Sequence, residues 1–166
     1  MSKEQATLRR IRILTLLFIT GVVISGVTAI PLVSEVEMLA RTFPDSSGSV
    51  VSEWAERVRN SLHAVQSQHP FLFYGTDWLA FGHFAIAIAF IGALRDPVRN
   101  RWLFDFGLIA CALVIPYALL FGAIRGIPVW WRLIDCSFGI FGAAPLWCCR
   151  KWVRQIQGES VRATQI

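Results

Sequence analysis

The sequence contains four almost wholly apolar runs of ~20 residues, at about 13–33, 72–94, 102–124 and 129–149. A helix that rises about 1.5 Å per residue crosses the ~30 Å hydrocarbon layer of a bilayer in about that length. Charged residues make up 16% of the chain and its mean hydropathy is +0.53, where soluble domains usually carry about 25% charge. These features predict an all-α integral membrane protein, a single membrane domain over 1–166. It has four transmembrane helices, an extracytoplasmic amphipathic helical insert in the loop 34–71 between the first and second, and a cytoplasmic tail at 150–166.

The charges lie at the ends of the runs, which orients the chain. Lys3, Arg9, Arg10, Arg12, Arg95, Arg99, Arg101, Arg150, Lys151, Arg154 and Arg162 account for eleven of the sixteen basic residues, and they belong to the segments that four spans place on one side. Arg41, Arg57, Arg59, Arg125 and Arg132 fall on the other. The positive-inside rule makes the first side cytoplasmic, with both termini there, and sets the 34–71 loop outside. The formal net charge of +5 therefore reflects orientation, and no nucleic-acid partner is expected. The first run resembles a signal peptide, but it exceeds the ~7–15 residues of a signal core and no small-residue cleavage site closes it cleanly. It is expected to stay as a span, with Gly21, Ser25 and Gly26 as a small-residue side and Pro31 at its end.

Within the outer loop, Val36, Leu39, Ala40 and Phe43 follow helical spacing until Pro44-Asp45-Ser46-Ser47-Gly48 breaks it. Val51, Trp54, Ala55, Val58, Leu62 and Val65 then share one face of a second helix, opposite Glu53, Glu56, Arg57, Asn60 and Gln66. That helix is expected to lie on the bilayer surface or on a partner. The second span opens with Tyr74-Gly75-Thr76-Asp77-Trp78, where Thr76 or Asp77 suits a helix cap. Pro116 falls inside the third span. Gly107 and Ala110, then Gly139, Gly142, Ala143 and Ala144, offer close-approach faces. Trp78, Trp130 and Trp131 match one interfacial belt, and Trp102, Trp147 and Trp152 the other.

The stretch Ile124 to Gly139, between two long apolar runs, carries two arginines and an aspartate within eleven residues: Arg125, Arg132 and Asp135. On the four-span topology these residues and Asp77 lie near the outer interface, with His83 deeper. Arg132 and Asp135, three apart, share a helix face and can pair. An ionisable group inside a span costs roughly 2.5–3.5 kcal/mol unless paired or wetted, so the groups are expected to form one cluster. Three roles are open to it. It can be a structural network that fixes helix register. It can bind an anionic lipid headgroup through Arg125, Arg132, Asp135, Asp77 and Tyr74, since guanidinium groups match phosphate. Or it can be catalytic, with His83 as acid–base and Asp77 or Asp135 orienting it; Ser137 has no base at a fixed spacing.

No cofactor or metal is expected. Haem ligation by two histidines needs a second intramembrane histidine, and His63 and His69 in the loop look solvated. Asp105 is placed to reach Arg101 or Arg99. The four cysteines, Cys111, Cys136, Cys148 and Cys149, lie in or beside apolar runs at no zinc spacing and are expected to be packing residues.

The second half resembles the small bacterial VanZ-like membrane proteins. The residues that carry the likeness are Asp77 and His83 in the second span, Arg132 with Asp135 opening the last, and Gly139 and Gly142 after them. The acid and glutamine that end the third span in that family are absent, with Phe121, Gly122 and Arg125 in that region. The chain also resembles bacterial inner-membrane proteins that carry Tyr-Gly-Thr-Asp-Trp-Leu-Ala-Phe and Arg-Gly-Ile-Pro-x-x-Trp-Arg-Leu-Ile-Asp-Cys-Ser-Phe-Gly. The resemblance implies a place in the bacterial inner membrane and a link to the envelope. The function expected is that of a non-enzymatic accessory or envelope protein that binds a lipid headgroup, a membrane-protein partner or another copy of itself. A small membrane enzyme acting on an envelope phospholipid, or a subunit of a larger complex, are the alternatives.

Overall fold

The computed structural model describes residues 2–42 and 49–164, with side chains to residue 158. The chain is all-helical, and no strand occurs among the described residues. In order it forms α1 (Lys3–Thr28), α2 (Leu32–Thr42), α3 (Val50–Gln68), a 3-10 turn (Pro70–Phe73), α4 (Tyr74–Arg95), α5 (Arg101–Ile124) and α6 (Val129–Thr164). Among the described residues, three helical segments are long and apolar enough to cross a membrane: Lys3–Thr28, Pro70–Arg95 and Arg101–Ile124. The fourth expected span forms the first part of α6, a single helix of 36 residues. Arg132, Asp135 and Arg150 dilute its apolar stretch, so α6 is not among the three. The helix-breaking segment expected at 44–48 lies outside the described residues, as does Phe43.

Most of the apolar surface of the three long segments faces outward. Only 6% of the most apolar stretch of α5 is buried. Leu113, Tyr117 and Leu120 on α5, and Leu16, Leu17 and Ile24 on α1, are exposed. Water would penalise such a surface at about 25 cal/mol per Å2, whereas lipid tails match it.

The chain divides into two compact units, Met1–Thr20 with Ala87–Ile166 and Gly21–Ile86. In the first, helix α1 begins earlier than the apolar run. Ser2 Oγ accepts from the Gln5 amide at 3.2 Å and Gln5 Oε1 accepts from the Ser2 amide at 3.0 Å, a reciprocal cap that starts the helix at Lys3. The core of this unit includes Ile11, Thr15, Phe90, Phe104, Leu146, Cys149 and Val153, all buried. Thr15 is a polar group there without penalty, because its hydroxyl donates to the Ile11 carbonyl at 2.8 Å. Cys111, Cys136 and Cys149 are buried and all four cysteines are free, in keeping with a packing role.

Helices α5 and α6 form the main helix pair of this unit. Their turn is built by Arg125-Gly126-Ile127-Pro128. Gly126 adopts φ +70°, the Ile127 amide donates to the Gly122 carbonyl at 2.8 Å and the Gly126 amide to the Ala123 carbonyl at 3.1 Å. These are the two bonds of a Schellman C-cap, with proline following to stop the helix. An L side chain at φ +70° costs roughly 1–2 kcal/mol, which is why glycine stands there. Beyond the turn, a Cβ built on Gly139 would lie 2.5 Å from the Cys111 carbonyl oxygen, and one on Gly142 would lie 3.0 Å from Cys111 Sγ. On α5, a Cβ at Gly107 would meet Leu146 Cδ1 at 2.6 Å. These glycines let the two backbones approach, as the expected small faces require.

In the second unit, Ser49 caps α3 by accepting from the Ser52 amide at 3.2 Å. The buried side of α3 carries Ala55, with Val51, Trp54, Val58, Leu62 and Val65 half-buried, as expected from helical spacing. Ser52 is also buried there, and Glu56 is half-buried where it pairs with Arg59 at 3.1 Å. Helix α3 packs on α2, and His63 Nε2 reaches Glu37 Oε1 at 3.2 Å across them. His63 is exposed, as expected of a solvated residue, and has this one carboxylate on the facing helix as a partner. The cap of α4 also differs from expectation. The 3-10 turn brings the helix start forward to Tyr74, so Asp77 sits within the first turn. Thr76 turns its hydroxyl back to the Phe73 carbonyl at 2.7 Å.

Candidate functional site

The six residues expected to form one outer polar site fall in two units: Tyr74, Asp77 and His83 in one, Arg125, Arg132 and Asp135 in the other. Each group is described within its own unit.

At the α5–α6 corner, Arg125 is the C-cap residue of α5 and is exposed. Arg132 lies on the first turn of α6 and folds across the end of α5. A Cβ on Gly122 would fall 2.5 Å from Arg132 Cδ and 2.6 Å from Cγ, so the missing side chain at Gly122 is the notch that holds the arginine stem. Its guanidinium Nη1 donates to the Leu119 carbonyl at 3.3 Å, where the negative end of the α5 dipole favours a cation. Arg132 Nε and Trp130 Nε1 are buried donors with no hydrogen-bond partner among the described residues. The Trp130 and Trp131 rings stand 5.4 Å apart at 69°.

The expected Arg132–Asp135 pair does not form. Among the described residues the ion pairs are Arg59–Glu56, His63–Glu37 and Arg150–Asp105. Spacing along a helix allows Arg132 and Asp135 to meet, but the Gly122 notch draws the arginine to the neighbouring helix instead. Asp135 is half-buried. Ser137 donates to the Ile134 carbonyl of its own helix at 2.6 Å, which leaves it tied to its backbone and without a base.

On α4, Asp77 is exposed and makes no ion pair among the described residues. Tyr74 is exposed, with its ring edge-on to Trp78 at 5.9 Å. His83 is half-buried and has found partners other than a carboxylate. Its Nδ1 bonds to the Leu79 carbonyl at 2.8 Å and its Nε2 to Ser25 Oγ at 3.3 Å. A carbonyl only accepts, so Nδ1 carries a proton; in the neutral ring Nε2 accepts from the Ser25 hydroxyl. Asp77 is six residues from His83, a spacing that places them on different faces of α4, so it does not orient the ring. Gly26 makes the Ser25 contact feasible, because a Cβ there would lie 2.9 Å from both His83 Cβ and a Phe84 ring carbon. In the sequence Ser25 is legible only as one of a stripe of small residues.

At the other end of the α5–α6 pair, Asp105 is bonded to Arg150 rather than to Arg99 or Arg101. Arg101 instead donates to Gln157 Oε1 at 3.0 Å, and the Arg99 amide donates to Asp96 Oδ1 at 3.0 Å. The reason is the pairing of helices: α6 runs back along α5 and brings Arg150 beside Asp105, whereas the Arg101 guanidinium reaches the α6 tail. No group of three or more histidine, cysteine, aspartate or glutamate residues suited to a metal ion occurs among the described residues.

No protein-family model, curated protein or solved structure matches the chain.

Proposed function

We propose that the chain is a multi-pass, non-enzymatic membrane protein of the bacterial envelope whose α5–α6 corner engages an anionic lipid headgroup. Four spans, at about 13–33, 72–94, 102–124 and 129–149, would put both termini in the cytoplasm and set α2 and α3 as an outer insert. The outward apolar faces of α1, α4 and α5 support the membrane setting. The fourth span carries Asp135, a group tolerated in a bundle at the cost noted above.

The observation that carries the headgroup reading is the corner itself. Arg125 is exposed beside the turn, the half-buried Arg132 guanidinium sits at the end of α5, and Trp130 and Trp131 stand together there. Two guanidinium groups with tryptophans at a membrane edge suit the phosphate oxygens of a lipid. The test is purification in mild detergent followed by native mass spectrometry. Wild-type protein is expected to retain an anionic phospholipid, and the Arg125→Ala/Arg132→Ala variant is expected to lose most of it. Retention equal to wild type would overturn the reading.

The Ser25–His83 bond favours a second reading, a small hydrolase of envelope phospholipids, since a serine donating to a histidine is the arrangement of an activated nucleophile. The same purified protein separates the two. The non-enzymatic reading expects a serine-reactive fluorophosphonate to label wild type no more than Ser25→Ala; labelling that needs both Ser25 and His83 would replace it with the enzyme.

A further inference from the structure

The face of α6 beyond its apolar part holds a second feature that the corner does not use. Trp147, Arg150, Lys151, Arg154 and Gln155 line a cleft of about 440 Å3. Their spacing is that of one helical face, i, i+3, i+4, i+7 and i+8. Trp147 is 57% exposed, and Lys151 Nζ lies 5.6 Å from the centre of its ring. Arg150 is bonded to Asp105, which leaves Lys151 and Arg154, both exposed, as the cations free to meet a ligand. A neighbouring cleft of about 270 Å3 shares Gln155 and is lined also by Lys3, Glu4, Thr7 and Ile156. The capped start of α1 brings one cation and one anion, Lys3 and Glu4, to that neighbouring cleft, so the net positive charge comes from α6.

We infer that this cleft binds the phosphate headgroup of an anionic phospholipid in the leaflet opposite the α5–α6 turn. The chemistry is amphipathic along one line. Trp147 supplies an apolar wall at the depth of the acyl–glycerol boundary, and Arg154, seven residues on, stands about 10 Å further out at the helical rise. That distance takes the face from hydrocarbon into the headgroup layer. Two flexible cations and an amide there fit the oxygens of a phosphodiester, and Lys151 above the indole is held near the interface. A basic cluster on the positively charged side of a membrane protein has this use. The continuity of α6 through Thr164 carries the cations out of the apolar part without a break, so their height is set by the helix.

The inference rests on the membrane setting proposed above but not on the α5–α6 corner. The test uses the full chain in mild detergent, titrated with phosphatidylglycerol and followed by native mass spectrometry. Near an anionic surface each basic residue is worth about fivefold in affinity. Lys151→Gln/Arg154→Gln is therefore expected to weaken binding at this site about 10- to 30-fold. Arg9→Gln/Arg10→Gln removes the same charge from exposed positions of α1 outside the cleft and is expected to change it no more than about twofold. These side chains are exposed, so folding is not at stake, and a thermal melt on each variant verifies that. Equal losses in the two variants would reduce the effect to diffuse charge and overturn the site, as would no loss in the first. Phosphatidylcholine bound as tightly as phosphatidylglycerol would also overturn it. Displacement of the lipid by millimolar inorganic phosphate would assign the cleft to a soluble phosphate instead. A chain that stays monomeric in solution without detergent would sink the membrane setting and the cleft together. A detergent-requiring chain whose lipid binding ignores Lys151 and Arg154 would sink the cleft alone.

Discussion

Gly139→Val is expected to lower the thermal midpoint in detergent by roughly 5–10 °C, while Gly21→Ala leaves it within about 2 °C. The difference lies in what a new side chain would meet. A Cβ at Gly139 would stand 2.5 Å from the backbone carbonyl oxygen of Cys111. A carbonyl inside a helix cannot rotate away without breaking its own hydrogen bond, so α5 and α6 must part. Parting them also loosens the contacts at Gly107 and Gly142 and the seating of Leu146, which is fully buried. Overpacking of this kind costs about 1–3 kcal/mol, and a clash with backbone belongs at the upper end. Gly107→Ala should be milder, because the atoms in its way are the ends of the Leu146 and Phe90 side chains, which can shift. Nothing lies within 4 Å of a Cβ at Gly21, and alanine there also raises helix propensity. A Gly139→Val midpoint equal to wild type would mean that the two helices are not in backbone contact.

Asp105→Arg is expected to reduce the folded-to-unfolded ratio about fivefold or more, and the swap with Arg150→Asp to recover most of the loss. Asp105 and Arg150 join α5 to α6 at the end away from the turn. Their side chains are 42% and 36% exposed, so water screens the native pair and simple removal by Asp105→Asn should be mild. Reversal differs in kind, since it sets two guanidinium groups against each other where the helices are packed. Folded yield from the membrane, read as the monodisperse fraction in detergent, measures it. Failure of the swap to recover yield would show that Asp105 acts through some partner other than Arg150.

Much of this fold was legible in the order of residues. The apolar runs mark α1, α4 and α5, because burying or lipid-facing a helix requires a continuous apolar stretch of fixed length. The face of α3 followed from helical spacing, and Arg-Gly-Ile-Pro marked the α5–α6 turn because few residues accept a positive φ. The helix starts were harder. Ser2-x-x-Gln5 caps α1 well before the apolar run, and Pro70 nucleates a 3-10 turn that moves the start of α4. Both are local signals that an apolar pattern alone overlooks.

The candidate site was legible only as a list of charged residues. Sequence spacing supplied Arg132 with Asp135, Asp105 with Arg101, and His83 with a carboxylate. The structure gives Arg132 to Leu119 and Gly122, Asp105 to Arg150, and His83 to Ser25. By itself the sequence determined that this chain is helical, how long its apolar segments are and where its charges lie, because those depend on neighbours within a few turns. Which charge meets which partner was decided by tertiary packing. Two glycine notches, at Gly26 and Gly122, let helices come close enough for Ser25 to bond His83 and for Arg132 to reach the Leu119 carbonyl, and a notch is visible only from the helix that fills it.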